Sequence, residues 1–260
     1  MSQHFNLTRF GRLFRKHTAE HLRGYLLATA VLLGGIGLVL GYVAYLSPQA
    51  MTTSLQGIVF VMGLLSAGAL FSSTVLAPFG SPRPATAALL LPASHLEKYL
   101  VAWLYALPIF GLVYVGCFYL MDALVLQLDD WAGPKPELVP LFGGPEKLHL
   151  ALAAYVLVHA AFLWGSIYFT KQQFVRTVVG LLLGLVVLAA VNYQGQKLLI
   201  GHGLLSSIPY STVRFEDGTT GVASIVSLTP EQLRWLVLLP VGLVLLGWAG
   251  AYARLTEKQL

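Results

Sequence analysis

Six long runs of apolar residues, separated by short segments rich in charge, proline and glycine, dominate the pattern of this chain. Each run is long enough to cross roughly 30 Å of hydrocarbon as a helix. The short alternating segments that a membrane barrel requires are not seen. We therefore predict an all-α fold, a polytopic bundle of six transmembrane helices at Tyr25–Leu46, Leu55–Pro78, Tyr99–Val125, Leu150–Thr170, Thr177–Ile200 and Leu233–Tyr252.

The fifth run differs from the others because only its first half, Val178–Val191, is purely apolar. Polar side chains facing lipid are costly. We therefore expect the second half either to face protein or water as part of a pore or gate, or to turn back as a re-entrant segment. Its polar residues are Asn192, Gln194, Gln196 and Lys197.

Residues 1–24 precede the first run and carry a pattern of their own. Phe10, Leu13 and Phe14 have helical i, i+3, i+4 spacing, and arginines and a lysine lie between the apolar positions. This pattern predicts an amphipathic helix that lies in the membrane interface. The alternative is an ordinary basic flank that only fixes the topology.

Composition and charge agree with a membrane protein. Of the 260 residues, 57% are hydrophobic and 10% are charged, against about a quarter charged in soluble proteins. If both termini share one side of six spans, that side carries eleven Lys and Arg against three acids, and the other side carries five against eight. The positive-inside rule then places both termini in the cytoplasm, with a transmembrane domain at 25–252 and a tail at 253–260. The net charge of +5 thus reflects topology and not a nucleic-acid partner.

Two connections on the outer side, 127–149 and 201–232, are longer than a helical hairpin requires. In the second, "STVRFEDGTTGVASIV" places Asp217-Gly218 between two β-prone runs, which is typical of a β-hairpin. The sequence Thr229-Pro230-Glu231-Gln232 follows, with a capping residue, a proline at the first helical position and a glutamine at the third. This arrangement predicts the start of the last helix.

The sequence offers little chemistry of its own. It has no G-x-x-x-x-G-K-[ST] for ATP and no H-E-x-x-H or C-x-x-C for a metal, so we expect no cofactor and no enzymatic activity. His159 is the histidine that lies well inside a span, where it acts either as a relay or cargo contact or as a structural hydrogen-bond partner. A hydrolase built on Ser66 and His159 is disfavoured, because "GLLSAG" misses the spacing of a nucleophile elbow by one residue.

The stretch "LLLPASHLEKY" between the second and third runs combines a proline, a helix cap and an ion pair. Ser94 and Glu97 have the spacing of a capping box, in which each side chain accepts from the backbone amide of the other. Pro92 ends any helix formed by the preceding leucines. We therefore predict that residues 81–98 form a stiff element on the cytoplasmic face, and its candidate contact residues are Leu89, Leu90, Leu91, Pro92, Ser94, His95, Glu97 and Lys98.

Taken together, the amphipathic N-terminal segment, the six spans, "LPASHLEK" between spans two and three and the long outer connection resemble the permease subunits of ABC-2 type transporters. The stretch "LLLPASHLEKYLVAWLY" resembles the corresponding sequence in permeases of Bacteroidetes-type bacteria. This resemblance implies a location in the bacterial cytoplasmic membrane, a second permease subunit, and a P-loop ATP-binding subunit that powers alternating access.

In the same resemblance, residues 81–98 correspond to the coupling helix that docks on the ATP-binding subunit. Asn192–Ser207 correspond to a re-entrant outer gate. The alternative from another functional class is a membrane sensor or scaffold that transports nothing and acts through its outer loops.

Overall fold

The computed structural model describes residues 5–46, 51–76, 93–128, 137–200, 204–207, 213–216, 223–226 and 229–257. The helices in this part of the chain are α1 (Leu7–Leu46), α2 (Thr53–Val75), α3 (His95–Leu104), α4 (Phe110–Leu128), α5 (Leu148–Tyr168), α6 (Gln173–Ile200) and α7 (Pro230–Glu257). A π-helical turn, Tyr105–Ile109, joins α3 to α4 and contains Pro108. The strands are β1 (Leu204–Ser207), β2 (Val213–Glu216) and β3 (Ala223–Val226).

Six of these helical stretches are long and apolar enough to cross a membrane, with α3 and α4 forming one of them. The chain is therefore an all-α, multi-pass membrane protein, as its hydrophobic pattern predicts. Apolar side chains are exposed along most of the spans, which is expected where lipid replaces water as the surrounding solvent.

The first helix differs from the expectation of a separate interfacial segment at residues 1–24. Helix α1 runs without a break from Leu7 to Leu46, so no helix boundary lies at Gly24. Its 40 residues extend about 60 Å, roughly twice the thickness of the hydrocarbon. Clustered basic residues interrupt the hydropathy of a sequence, but arginine and lysine are good helix formers and do not interrupt the helix.

The fifth span also differs from one of its two expected forms. Helix α6 continues through the polar residues to Ile200, so the re-entrant form is wrong up to that residue. A continuous helix satisfies its backbone internally even where its side chains become polar, whereas a reversal would leave amide groups without partners.

The chain divides into two compact units. The first comprises the described residues up to Phe174 together with those from Gly247 onward, and the second comprises Val175–Leu246. In the first unit, α2 packs closely on α5, and α1 packs on α4. Phe60, Leu64, Tyr114 and Phe118 are completely buried between α2 and α4.

Small residues permit the close packing of this first unit. A Cβ atom added at Gly68 would lie 2.3 Å from Cε2 of Tyr155, and one at Gly247 would lie 3.2 Å from the carbonyl oxygen of Ala160. A Cβ atom at Gly63 would be similarly close to the Tyr114 hydroxyl, at 2.3 Å, and small residues are typical of helix contacts in membranes. In contrast, nothing lies within 4 Å of the Cβ position of Gly180 or Gly184 among the described residues.

The second unit holds most of α6, the first part of α7 and a small antiparallel sheet in the order β1-β2-β3. Strands β2 and β3 flank Asp217-Gly218 and pair with Val213 opposite Val226. At the start of α7, the amide of Thr229 donates to Oε1 of Gln232 at 2.9 Å, and the amide of Gln232 donates back to Oγ1 of Thr229 at 3.4 Å. The predicted helix start is therefore confirmed.

Candidate functional site

The capping box predicted at the start of α3 is present. Oγ of Ser94 accepts from the amide of Glu97 at 3.2 Å, and Oε2 of Glu97 accepts from the amide of Ser94 at 3.0 Å. Two of the amides that a helix N-terminus leaves without intrahelical partners are thereby satisfied. The entry of the chain into the third span is fixed by these two bonds.

The same glutamate also holds the start of α1. Its Oε1 accepts from the amide of Asn6 at 2.8 Å and from a guanidinium nitrogen of Arg9 at 3.2 Å. The side chain of Asn6 in turn accepts from the amides of Thr8 and Arg9, as an N-cap residue does. Glu97 therefore ties together the N-terminal ends of two helices that lie about ninety residues apart in sequence. We call Asn6, Arg9, Ser94 and Glu97 the Glu97 junction.

Burial makes this junction sensitive to change. The Glu97 side chain is fully buried, whereas that of Arg9 is 31% exposed. A buried carboxylate is stable only when its oxygens are well supplied with donors. Here it receives three hydrogen bonds, and two of them come from backbone amides whose positions are set by the helix ends.

A row of aromatic and hydroxyl contacts extends from this junction along α1. The Tyr105 ring lies 5.1 Å from the rings of both Phe14 and Tyr25, between centroids, and its hydroxyl bonds to Oγ1 of Thr18. Nε2 of His17 lies 2.7 Å from the Tyr25 hydroxyl. The part of α1 that was expected to lie in the membrane interface thus packs partly against α3 and the π-helical turn.

The π-helical turn marks where the third span departs from regular geometry. Pro108 has no amide hydrogen, so it cannot complete the helical ladder. The Tyr155 hydroxyl, from the neighbouring helix α5, donates to the carbonyl of Ala106 within this turn. Such turns are frequent at functional sites of helices.

An apolar cavity of about 970 Å³ lies between α1, α2, the π-helical turn and α4, on the side of α1 that carries Tyr25. Its walls are mainly aliphatic and aromatic, and a few hydroxyls, including those of Tyr25, Thr29 and Tyr105, are its polar groups. The volume is near the upper end of the usual range for small-molecule sites, about 300–1,000 Å³. An apolar ligand fits this lining better than a polar one.

The other residues of the expected coupling segment have mixed outcomes. Leu89, Leu90, Leu91 and Pro92 lie outside the described residues. His95 is half-buried, and its Nδ1 is buried with no hydrogen-bond partner in the part of the chain that the structure describes. Lys98 is 5% exposed and is therefore buried close to the Glu97 junction.

The four expected pore or gate residues of α6 lie on two faces of that helix. Along α6, Asn192 and Gln196 lie one turn apart and are partly buried, whereas Gln194 and Lys197 lie on a different face and are exposed. A single helix face therefore does not carry all four side chains.

His159, the fifth residue of that prediction, belongs to the first compact unit. It is fully buried, and its Nδ1 lies 3.0 Å from Oγ of Ser72, which supports the structural interpretation. Ser66 instead donates to the carbonyl of Met62 within its own helix, so no Ser66–His159 pair is found.

The sequence did not predict the tertiary contacts of the Glu97 junction, which are the bonds from Asn6 and Arg9 to Glu97. Spacing identifies a capping box because its two residues are neighbours, but it gives no signal for Arg9, 88 residues away. Buried Gln56 was missed for the same reason. Its side chain bonds to the amide of Val139 and the carbonyl of Glu137.

A metal centre is not found at the junction or elsewhere in the described ranges, where no three His, Cys, Asp or Glu side chains come together. No family model matches this sequence, and no curated protein or solved structure is significantly similar to it.

Proposed function

We propose that this chain is the membrane-spanning permease subunit of an ATP-driven transporter of the ABC-2 type. In this proposal it lies in the bacterial cytoplasmic membrane with both termini in the cytoplasm. It pairs with a second permease subunit and moves its cargo by alternating access. A separate P-loop subunit supplies the energy, because the sequence contains no ATP-binding motif.

The Glu97 junction is the observation that carries this proposal. A coupling element must pass a displacement from a partner to the transmembrane helices. Ser94 and Glu97 belong to the last part of the expected coupling segment, and Glu97 is bonded to the beginning of α1. A push on this segment would therefore act on α1 and α3 together.

Helix α1 is suited to transmit such a displacement, because it is continuous over about 60 Å. Its far end packs on α4, where Ile36, Leu40 and Ala44 are buried. Movement at the Glu97 junction would thus reach the opposite end of the bundle without passing through a flexible linker. The apolar cavity beside Tyr25 lies along this helix and favours a lipophilic cargo.

The test is co-purification of the partner. The tagged full-length chain, extracted from its own membranes in mild detergent, is expected to bring down an ATPase with a P-loop. Leu89→Asp/Leu90→Asp is expected to insert normally and to lose this ATPase, because it places charge on the docking surface. Leu138→Asp, an equally drastic change at an exposed position on the expected outer side, is the matched control and should retain it.

Ser94→Ala is expected to keep the ATPase bound but to lower transport-coupled ATP hydrolysis, since the loss of an N-cap weakens the element by about 0.5–2 kcal/mol. Full binding and normal turnover in the double aspartate variant would show that the coupling assignment is wrong.

A second candidate is a membrane sensor or scaffold that acts through its outer loops. The ordered strands β1 to β3 in the connection between α6 and α7 favour it, because a transport pathway does not require a sheet there. A wild-type chain that brings down no ATPase, but retains a partner only while residues 201–232 are intact, would support this candidate.

A further inference from the structure

Asp122 is a buried acid that neither the capping boxes nor the Glu97 junction involves. It lies in α4, about one and a half turns before the helix ends at Leu128. The residue is fully buried, and neither carboxylate oxygen has a hydrogen-bond partner among the residues that the structure describes. An ionised carboxylate in such a place would lose its hydration and gain nothing in return, at a cost of several kcal/mol.

Helices α1 and α2 pack on α4, and neither brings a lysine or arginine to this end of it. Helix α1 from Gly24 to Leu46 and the whole of α2 contain no Asp, Glu, Lys or Arg. In the described segment before α5, the ionisable side chains are Glu137, Glu146 and an exposed Lys147, and Glu146 accepts hydrogen bonds from Thr53 and Ser54. The titratable group found to interact electrostatically with Asp122 is Tyr119, one turn earlier on α4.

We infer that Asp122 is a proton-binding site at the outer end of the bundle, and that it holds its proton at neutral pH. A protonated carboxyl is neutral and can remain in this apolar surrounding at much lower cost than a carboxylate. The ligand of the site is the proton itself, because a metal cation would require several ligands and no three His, Cys, Asp or Glu side chains come together among the described residues.

A neutral polar clamp closes this end of α4. Gln56 accepts from the amide of Val139 at 2.8 Å and donates to the carbonyl of Glu137 at 3.0 Å, while the Tyr119 hydroxyl donates to the carbonyl of Val139 at 2.8 Å. The segment that begins at Glu137 is thus held to both α2 and α4. Release of this clamp would admit water beside Tyr119 and let Asp122 ionise, so proton exchange is linked to opening of the outer end.

The test uses dicyclohexylcarbodiimide, a lipid-soluble reagent that modifies protonated carboxyls in apolar surroundings. The purified full-length chain, in a Cys117→Ala background and at about pH 7, is expected to be modified at Asp122, as located by peptide mass spectrometry. The modification should persist well above the pH range in which an ordinary aspartic acid ionises and should decline as the pH is raised further, and exposed Glu20 should remain unmodified throughout.

Two variants complete the test. Asp122→Asn mimics the protonated form, so it should unfold at the same temperature as the parent and should remove the infrared carbonyl band of one protonated acid. Gln56→Ala opens the clamp and should reduce modification at neutral pH. The inference is overturned if Asp122 is modified only at about pH 5, if Asp122→Asn removes no such band, or if it is clearly destabilised. These results do not depend on an ATPase partner.

Discussion

Replacing Glu97 by glutamine tests the Glu97 junction with the smallest possible change in shape. Both carboxylate oxygens of Glu97 accept hydrogen bonds, and they receive three donors. Glutamine has one oxygen and one NH₂ group, and the NH₂ group cannot accept from an amide. Either Ser94 or Asn6 must therefore lose its acceptor, whichever way the new side chain is turned.

The magnitude follows from these contacts. The loss of one hydrogen bond to a charged acceptor costs about 1.5–3 kcal/mol. The weakened pairing with Arg9 adds no more than about 1 kcal/mol, because its side chain is partly exposed and screened by solvent. We therefore expect Glu97→Gln to lower the free energy of unfolding by about 1.5–4 kcal/mol.

The assay combines denaturant unfolding in detergent micelles with limited trypsin digestion. Once the start of α1 is released, cleavage after the arginines between residues 9 and 15 should accelerate. Glu20→Gln is the matched control, because Glu20 is exposed and its ion pair with exposed Lys16, at 3.6 Å, should be worth less than about 0.5 kcal/mol. If Glu97→Gln and Glu20→Gln behave alike in both measurements, the reasoning about the junction is refuted.

Three further expectations concern other parts of the chain. Gly68→Ala should destabilise the fold by about 1–3 kcal/mol, because the new Cβ atom would meet the Tyr155 ring, which its own hydrogen bond holds in place. Gly180→Ala should have no effect in the same unfolding assay, and equal effects of the two substitutions would contradict the packing described. In a Cys117→Ala background, a cysteine at Gln194 should react faster with an impermeant thiol reagent than one at Gln196, because Gln194 is exposed and Gln196 is partly buried. The reverse order of reaction rates would mean that α6 presents its other face to water. Topology reporters in the connection between α6 and α7 should lie outside and those at the C-terminus inside, and a cytoplasmic reading for that connection would remove the fifth span.

Features that depend on residues close together in the sequence could be predicted from it, whereas features that depend on distant residues could not. The capping box of Ser94 and Glu97 and the start of α7 at Pro230 were predictable, because both depend on residues within one helical turn. The spans were predictable because lipid imposes a length and a polarity on each of them. The continuity of α1 was missed, since basic residues end an apolar run without ending a helix.

The tertiary contacts carried no comparable signal. Nothing in the spacing of Arg9 and Glu97 shows that they meet, and nothing in the sequence around Gln56 indicates that its side chain binds a segment some eighty residues later. Asp122 illustrates a different limit. The sequence places it within a span, yet only the packing of α1, α2 and α4 determines whether a cation lies opposite.

The two buried acids of the third span show that burial alone does not assign a role. Glu97 and Asp122 lie 25 positions apart on the stretch His95–Leu128, which corresponds to about 37 Å along a helix and thus to opposite ends of the bundle. Glu97 is surrounded by donors, so its charge is part of the structure and even an isosteric neutral substitute should weaken the fold. Asp122 receives no hydrogen bond from the described residues, so the neutral form is the stable one and the same substitution should be tolerated. Glu97→Gln and Asp122→Asn therefore form a matched pair of experiments, because each replaces a carboxyl group by an amide of the same shape. Glu97→Gln is expected to destabilise the fold and Asp122→Asn is not, because hydrogen-bond donors surround only the first of the two acids among the described residues.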